Sequence, residues 1–275
     1  METKTIQYQS AQIFYRIIGK GKPVVLIHGF AEDGEIWNNQ IDFLKDDFTL
    51  IIPDLPGTGK SELIADMSID GMADLIKEIL TIELSKFPLQ GAEGVVIGHS
   101  MGGYITLAIA EKYPELISAF GLCHSSAFAD DEEKKAARLK SIEFIKSNGA
   151  YEFLKTTIPG LFLMGQDGLK PSDSYAAILI EKGKQFTPEA LTKYYQAMIA
   201  RPNRIEVLKN FNSPVLFIIG EHDKAIPFEQ SMQQCYLPPQ SHVHILRNSA
   251  HMGMWEETDK VNTVLLGFLQ QATTL

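Results

Sequence analysis

Residues 95–104 read V-V-I-G-H-S-M-G-G-Y, and no other stretch of the chain limits its fold so narrowly. A β-branched run enters Gly98-His99-Ser100-Met101-Gly102, and an apolar, Ala-containing segment with helical character leaves it. A serine on such a strand-turn-helix junction sits on a strained turn, with its hydroxyl clear of its neighbours and open to a substrate. Glycines two positions before and after it let the backbone fold back without side-chain collision. The pentapeptide is common by chance, so a glycine-rich β-α turn with an incidental serine competes until chemical partners are found.

The surrounding pattern supplies the frame. Residues 24–27 and 49–53 are continuous apolar runs of the kind expected of strands buried on both faces of a sheet. Further strands are expected at 95–98, 117–123, 215–219 and 242–246. Helical spacing is expected at 36–44, 68–84, 228–235 and 255–271. Strand, helix, strand, helix is the rhythm of a mostly parallel, doubly wound α/β sheet. A small hairpin over residues 6–8 and 12–17 leads into it. From His124 to about Arg204 the rhythm stops, and four helical patterns follow with no convincing strand. A parallel crossover needs only a dozen or more residues, so residues 124–204 read as an inserted helical cap on a core of 1–123 and 205–275.

Composition narrows the class. With 275 residues the chain can bury a sizeable core, and 45% apolar with 21% charged residues is ordinary for a globular protein. A formal net charge of −9 argues against nucleic acid or an anionic membrane as partner. The two cysteines, Cys123 and Cys235, fit reduced thiols better than a disulfide framework. No N-terminal apolar segment and no run of about 20 apolar residues is present, so the expectation is a soluble cytoplasmic protein. Oligomeric state, monomer or homodimer, is not legible.

A serine hydroxyl is a poor nucleophile at neutral pH. It needs a general base, and the base needs a group that fixes its tautomer and stabilises the imidazolium. Two expected strand ends offer such groups: Gly220-Glu-His-Asp223-Lys-Ala-Ile-Pro227 and Asn248-Ser-Ala-His251. Ser100, Asp223 and His251, each at the carboxyl end of a strand, weigh far more together than any one alone.

With these residues in view, the chain resembles the α/β-hydrolase superfamily, in the cap-containing group of carboxylesterases, enol-lactonases, cofactor-free haloperoxidases and carbon-carbon bond hydrolases. The resemblance rests on His28-Gly29-Phe30, Asp54-Leu-Pro-Gly-Thr-Gly-Lys-Ser61, the Ser100 elbow, the Asp223 loop with Ile226-Pro227, and His251 followed by Glu256. The order Ser100, Asp223, His251 is the order of that superfamily. The resemblance implies that the backbone N–H groups of Phe30 and Met101 form an oxyanion hole. It also favours Asp223 over Glu221 and Asp54 as the acid, because Gly-x-x-Asp matches the family's loop after this strand.

Competing readings are weighed against this one. Residues 54–61 end in Gly-Lys-Ser, but a phosphate-binding loop requires glycine where Asp54 stands. His222, His242 and His244 compete weakly with His251, the last two being expected on one solvated face of a strand. His28 and His99 are expected to shape loops through hydrogen bonds. Neither H-E-x-x-H nor Cys/His spacing supports zinc, and no metal or organic cofactor is implied. Residues 130–135 (D-D-E-E-K-K) read as a solvated helix start. Phe162, Leu163, Met164 and Tyr175 either line a pocket or form the cap's own core.

The expected function is hydrolysis of a carboxylic ester or related acyl compound, a small molecule, through an acyl-enzyme. Serine rather than aspartate at the elbow argues against epoxide hydrolase and haloalkane dehalogenase chemistry. Carbon-carbon bond hydrolases often carry asparagine where this chain has His99, which lowers that alternative. Lactonase or perhydrolase activity comes next, and a non-catalytic ligand-binding protein of the same fold last. Glu32 and Asp33, in the loop after Phe30, are expected to disfavour anionic substrates.

Overall fold

In the computed structural model, which describes residues 1–87, 92–163 and 171–272, eight strands form one sheet in the order β1-β2-β4-β3-β5-β6-β7-β8. They are β1 (Glu2–Tyr8), β2 (Ala11–Gly19), β3 (Lys22–Ile27), β4 (Phe48–Pro53), β5 (Gly94–His99), β6 (Ile117–Cys123), β7 (Val215–Gly220) and β8 (Ser241–Leu246). Strands β3 to β8 run parallel, whereas β2 is antiparallel to both β1 and β4. The expected N-terminal hairpin is therefore no separate lead-in: it extends the sheet, with Tyr15 of β2 opposite Pro53 of β4.

Helices α1 (Asn38–Leu44), α2 (Ile69–Leu84) and α3 (Met101–Lys112) alternate with the early strands. Ser68 caps α2 by accepting from the Gly71 N–H at 3.0 Å, and Met72, Ile76, Ile79 and Leu80 face inward from it. Each such side chain, fully buried, stabilises the fold by about 1.5–3 kcal/mol. Helix α3 is apolar nearly all round because it is buried from Met101 to Ala110 among α2, β5 and β6. Between β6 and β7 lie α4 (Glu132–Asn148), α5 (Ala150–Thr157), α6 (Pro171–Lys182), α7 (Pro188–Ala200) and the unanticipated α8 (Ile205–Asn210), with no strand among the described residues. The chain closes with α9 (Phe228–Cys235), a short α10 (Gly253–Glu256) and α11 (Thr258–Ala272), where one continuous helix was expected.

Two expectations change with the packing. His242 and His244 are half-buried, not solvated, because the His242 ring packs on Phe268 of α11 at 5.4 Å. Asp130 is not part of a solvated helix start. It is buried under the guanidinium groups of Arg138 and Arg201, and Asp131 caps α4 by accepting from the Lys134 N–H at 2.7 Å. Both cysteines are buried free thiols, and no helix among the described residues is long and apolar enough to cross a membrane.

The order of connection fixes where chemistry can gather. From β3 the chain steps to β4 on one side and then to β5 on the other, so the carboxyl ends of β3 and β5 border a crevice at a topological switch point. Phe30, Ser100, His124, Asp223 and His251 all follow the carboxyl ends of parallel strands.

Candidate active site

Ser100 sits between β5 and α3 with φ 50° and ψ −115°, a left-handed conformation that a non-glycine residue holds only under surrounding constraint. The glycines around it explain how the turn closes. A Cβ on Gly98 would lie 2.3 Å from the Gly102 carbonyl oxygen, and one on Gly102 would lie 2.5 Å from that of Ile27. Only hydrogen fits at either position.

The serine hydroxyl lies 2.8 Å from His251 Nε2, and His251 Nδ1 lies 2.8 Å from Asp223 Oδ2. Asp223 Oδ1 accepts from the Ala225 and Ile226 N–H groups at 2.8 and 2.9 Å, which orients the carboxylate along its own loop. Burial works to raise the Asp223 pKa, but the electrostatic pull of the His251 ring and the hydrogen bonds from two imidazoles outweigh it and hold the carboxyl below the usual range. The three groups thus stand in one hydrogen-bond chain, the arrangement that a nucleophile, a base and an orienting acid require.

The oxyanion-hole candidates flank this chain. Gly29 approaches the elbow so closely that a Cβ built on it would lie 3.1 Å from Ser100 Cβ, which brings the β3 loop carrying Phe30 against the serine. Neither the Phe30 nor the Met101 N–H is taken up by an acceptor among the turn, loop and cap bonds of the described residues.

Two further buried histidines face partners that favour opposite charge states. His124 follows β6 with φ 50°; its Nε2 faces the Gly253 N–H at 3.2 Å and its Nδ1 faces Asp223 Oδ2 at 3.3 Å. One donor and one acceptor suit a neutral ring with its proton on Nδ1. Burial pushes the His124 pKa down to about 4 against the pull of Asp223. His99 instead faces Glu32 Oε2 at 3.0 Å through Nδ1 and the His251 carbonyl oxygen at 3.0 Å through Nε2. Both partners only accept, so the doubly protonated ring satisfies the site. Burial lowers the His99 pKa, but the Glu32 carboxylate overcomes it and the net shift is upward.

His251 is also held by its main chain. Glu256 Oε2 accepts from the N–H groups on either side of it, Ala250 at 2.9 Å and Met252 at 3.2 Å. Glu256 Oε1 accepts from the Leu163 N–H at 2.6 Å, and the His251 N–H donates to the Leu161 carbonyl at 2.9 Å. Residues between β6 and β7 therefore anchor the His251 loop directly.

The remaining candidates separate cleanly. Asp54 binds the Gly34 and Lys60 N–H groups, and His28 Nε2 accepts from the Leu55 N–H at 2.9 Å, so both shape the loop after β4. Glu221 and His222 are exposed and outside the Ser100 hydrogen-bond chain. Glu32 is tied to His99 and the Gly29 N–H, while Asp33 is paired with Lys182, which it shares with Glu35, so both carboxylates are already partnered. Phe162 and Tyr175 pack against Trp255 rather than lining the serine pocket, and Met164 lies outside the described residues. His124, Asp223 and His251 bring ligand-type atoms within 4.8 Å of one another, but each ring nitrogen already has a hydrogen-bond partner, a protonic rather than metal-binding arrangement. His124 is a site residue that the sequence reading does not single out, although its place one residue past β6 is a signal for it.

A pocket of about 270 Å³ opens over Ser100 and His251. Phe30, Leu161, Tyr195 and Met198 give it apolar walls, with the Phe30 and Tyr195 rings 4.5 Å apart.

Comparison with known proteins agrees with this architecture. The family profile of the alpha/beta hydrolase fold matches residues 22–142. The chain is 24% identical over 258 residues to a 2-hydroxy-6-oxononadienedioate/2-hydroxy-6-oxononatrienedioate hydrolase of Pseudomonas sp, covering 90% of this chain and 87% of that protein. It is 27% identical over 275 residues to a putative carbamate hydrolase of Agrobacterium fabrum, covering 95% and 98%. Among solved structures, a thermophilic esterase from Thermogutta terrifontis superposes with a TM-score of 0.89 at 24% identity, over 99% of each chain.

Proposed function

Because this chain belongs to the α/β-hydrolase superfamily, we propose that it is a serine hydrolase that cleaves a carboxylic ester or related acyl compound, with Ser100, His251 and Asp223 as its catalytic triad. The observation that carries the reading is the unbroken Ser100–His251–Asp223 hydrogen-bond chain, 2.8 Å at each step, at the floor of the pocket.

In the proposed reaction the Ser100 oxygen bonds to the substrate carbonyl carbon while its proton passes to His251 Nε2. The carbonyl oxygen takes the negative charge, met by the N–H groups of Phe30 and Met101. The tetrahedral intermediate then expels the alcohol, which leaves with the proton from His251, and an acyl-serine remains. Water repeats the sequence: His251 removes its proton, the acyl–oxygen bond breaks, and the proton returns to Ser100. Asp223 stays ionised throughout and orients the ring.

The helices of residues 124–204 act in this reading as a cap, since Leu161, Tyr195 and Met198 roof the pocket. The substrate is a small molecule and the compartment the cytoplasm, where free thiols such as Cys123 and Cys235 persist. Carbon-carbon bond cleavage is the second reading, supported by the Pseudomonas relative. Hydrolysis of short-chain p-nitrophenyl esters tests the proposal. Ser100→Ala is expected to lower turnover by several orders of magnitude and to abolish labelling by a serine-directed phosphonate. A wild-type protein that neither turns over an ester nor reacts with the phosphonate refutes it, and turnover of a dienoate far above that of any ester promotes the second reading.

A further inference from the structure

One wall of the Ser100 pocket is cationic in a chain whose formal net charge is −9. Lys134 and Arg138, one turn apart on α4, line it together with Lys224 from the loop after β7. The opposing charges are already committed. Glu32, the only carboxylate on the pocket lining among the described residues, is buried and bonded to His99 and the Gly29 N–H. Asp130, behind Arg138, is shared between two guanidinium groups, those of Arg138 and Arg201, so one positive charge is left over. Lys134 gives one N–H to the Ala225 carbonyl at 2.8 Å and keeps two donors. Lys224 is exposed and forms no ion pair among the described residues.

We propose that this wall binds a carboxylate of the substrate, so that the hydrolase acts on acyl compounds carrying an anionic group remote from the scissile carbonyl. The inference rests on Ser100 being the nucleophile, and it reverses the sequence-based expectation that Glu32 and Asp33 repel anions. Asp33 is not on the pocket lining; it is paired with Lys182 of α6, which binds both of its carboxylate oxygens and also Glu35. The apolar wall formed by Phe30, Tyr195 and Met198 takes the hydrocarbon part, and the α4 cations take its charged end. A carboxylate between Lys134, Arg138 and Lys224 gains charge-assisted hydrogen bonds from donors that the fold leaves unspent.

Calorimetric titration of the full-length chain with glutarate and with glutaramide, a neutral molecule of the same length, reads the site without turnover. Glutarate is expected to bind about tenfold tighter at low salt, the scale of two or three partly solvated ion pairs. That preference is expected to shrink in 0.5 M NaCl, to vanish in the Lys134→Gln/Lys224→Gln double variant, and to return in Lys134→Arg/Lys224→Arg. Equal binding of the two ligands, no binding of either, or a preference that survives the glutamine double variant overturns the proposal. Hydrolysis of p-nitrophenyl acetate, measured alongside, reports on the triad alone. Turnover without a glutarate preference removes the carboxylate site and leaves the serine hydrolase; a lysine-dependent preference with neither turnover nor phosphonate labelling upholds the anion site and removes the hydrolase reading.

Discussion

Replacing His124 with glutamine should flatten the loss of stability that this protein suffers in acid. The imidazole is fully buried between partners that suit a neutral ring, and burial pushes its pKa down to about 4 from an ordinary 6.5. The unfolded chain therefore takes up a proton near pH 6.5 that the folded chain refuses until near pH 4. Stability from this residue is complete above pH 6.5, falls as pH drops through that window, and levels off below it. The gap between 6.5 and about 4, at about 1.4 kcal/mol per pH unit, sets the full loss at about 3 kcal/mol. Glutamine keeps an uncharged donor and acceptor for Asp223 and Gly253 but does not titrate. At pH 7.5 the variant should be less stable by about 1–2 kcal/mol, through imperfect replacement of the two hydrogen bonds. Urea unfolding of both proteins between pH 7.5 and pH 4.5 is the assay. The difference in unfolding free energy should move by about 2–3 kcal/mol in the variant's favour as pH falls. Parallel stability curves would show that His124 is not held neutral, and the argument from its partners would fail.

Two further outcomes follow from the same geometry. Glu256→Gln removes one acceptor and the negative charge that hold the N–H groups on both sides of His251, so kcat should fall about tenfold with a smaller change in KM; an unchanged kcat on a p-nitrophenyl ester refutes a positioning role. The His99 ring should show two protonated nitrogens by ¹⁵N NMR at pH 7, and Glu32→Gln should convert it to a single-proton ring, because the carboxylate is what raises its pKa over the opposing effect of burial. A neutral His99 in the wild type contradicts the assignment.

How far the sequence reaches is clearest at particular residues. The strands at 117–123 and the helices at 150–157 and 228–235 could be bounded from the sequence because the apolar run or helical spacing is continuous and ends at a turn or cap. The terminal helix could not be, because Glu257 at its break is an ordinary helix former; the interruption comes from the Glu256 and Glu257 carboxylates turning back to bind N–H groups at Ala250 and Asn248. Asp130 was misjudged for a related reason. A run of acidic residues looks solvated until arginines 8 and 71 positions away close over one member.

For the site, the order of types along the chain determined the candidate nucleophile, base and acid, since each stands at the end of a strand whose apolar run is visible locally. The sequence also excluded the aspartate-dependent relatives, because the identity of the elbow residue is a matter of covalent structure alone. Only the tertiary structure decided which charges remain free. Glu32 and Asp33 look like two unpartnered negative charges near Ser100, yet one is bound by His99, 67 positions away, and the other by Lys182, 149 positions away. The same is true of protonation: His99 and His124 are chemically identical in sequence, and one is expected to carry a charge and the other not, solely because one faces two acceptors and the other faces an acceptor and a donor. Charge and proton occupancy depend on what stands within about 3 Å in space, and a linear pattern records only what stands nearby along the chain.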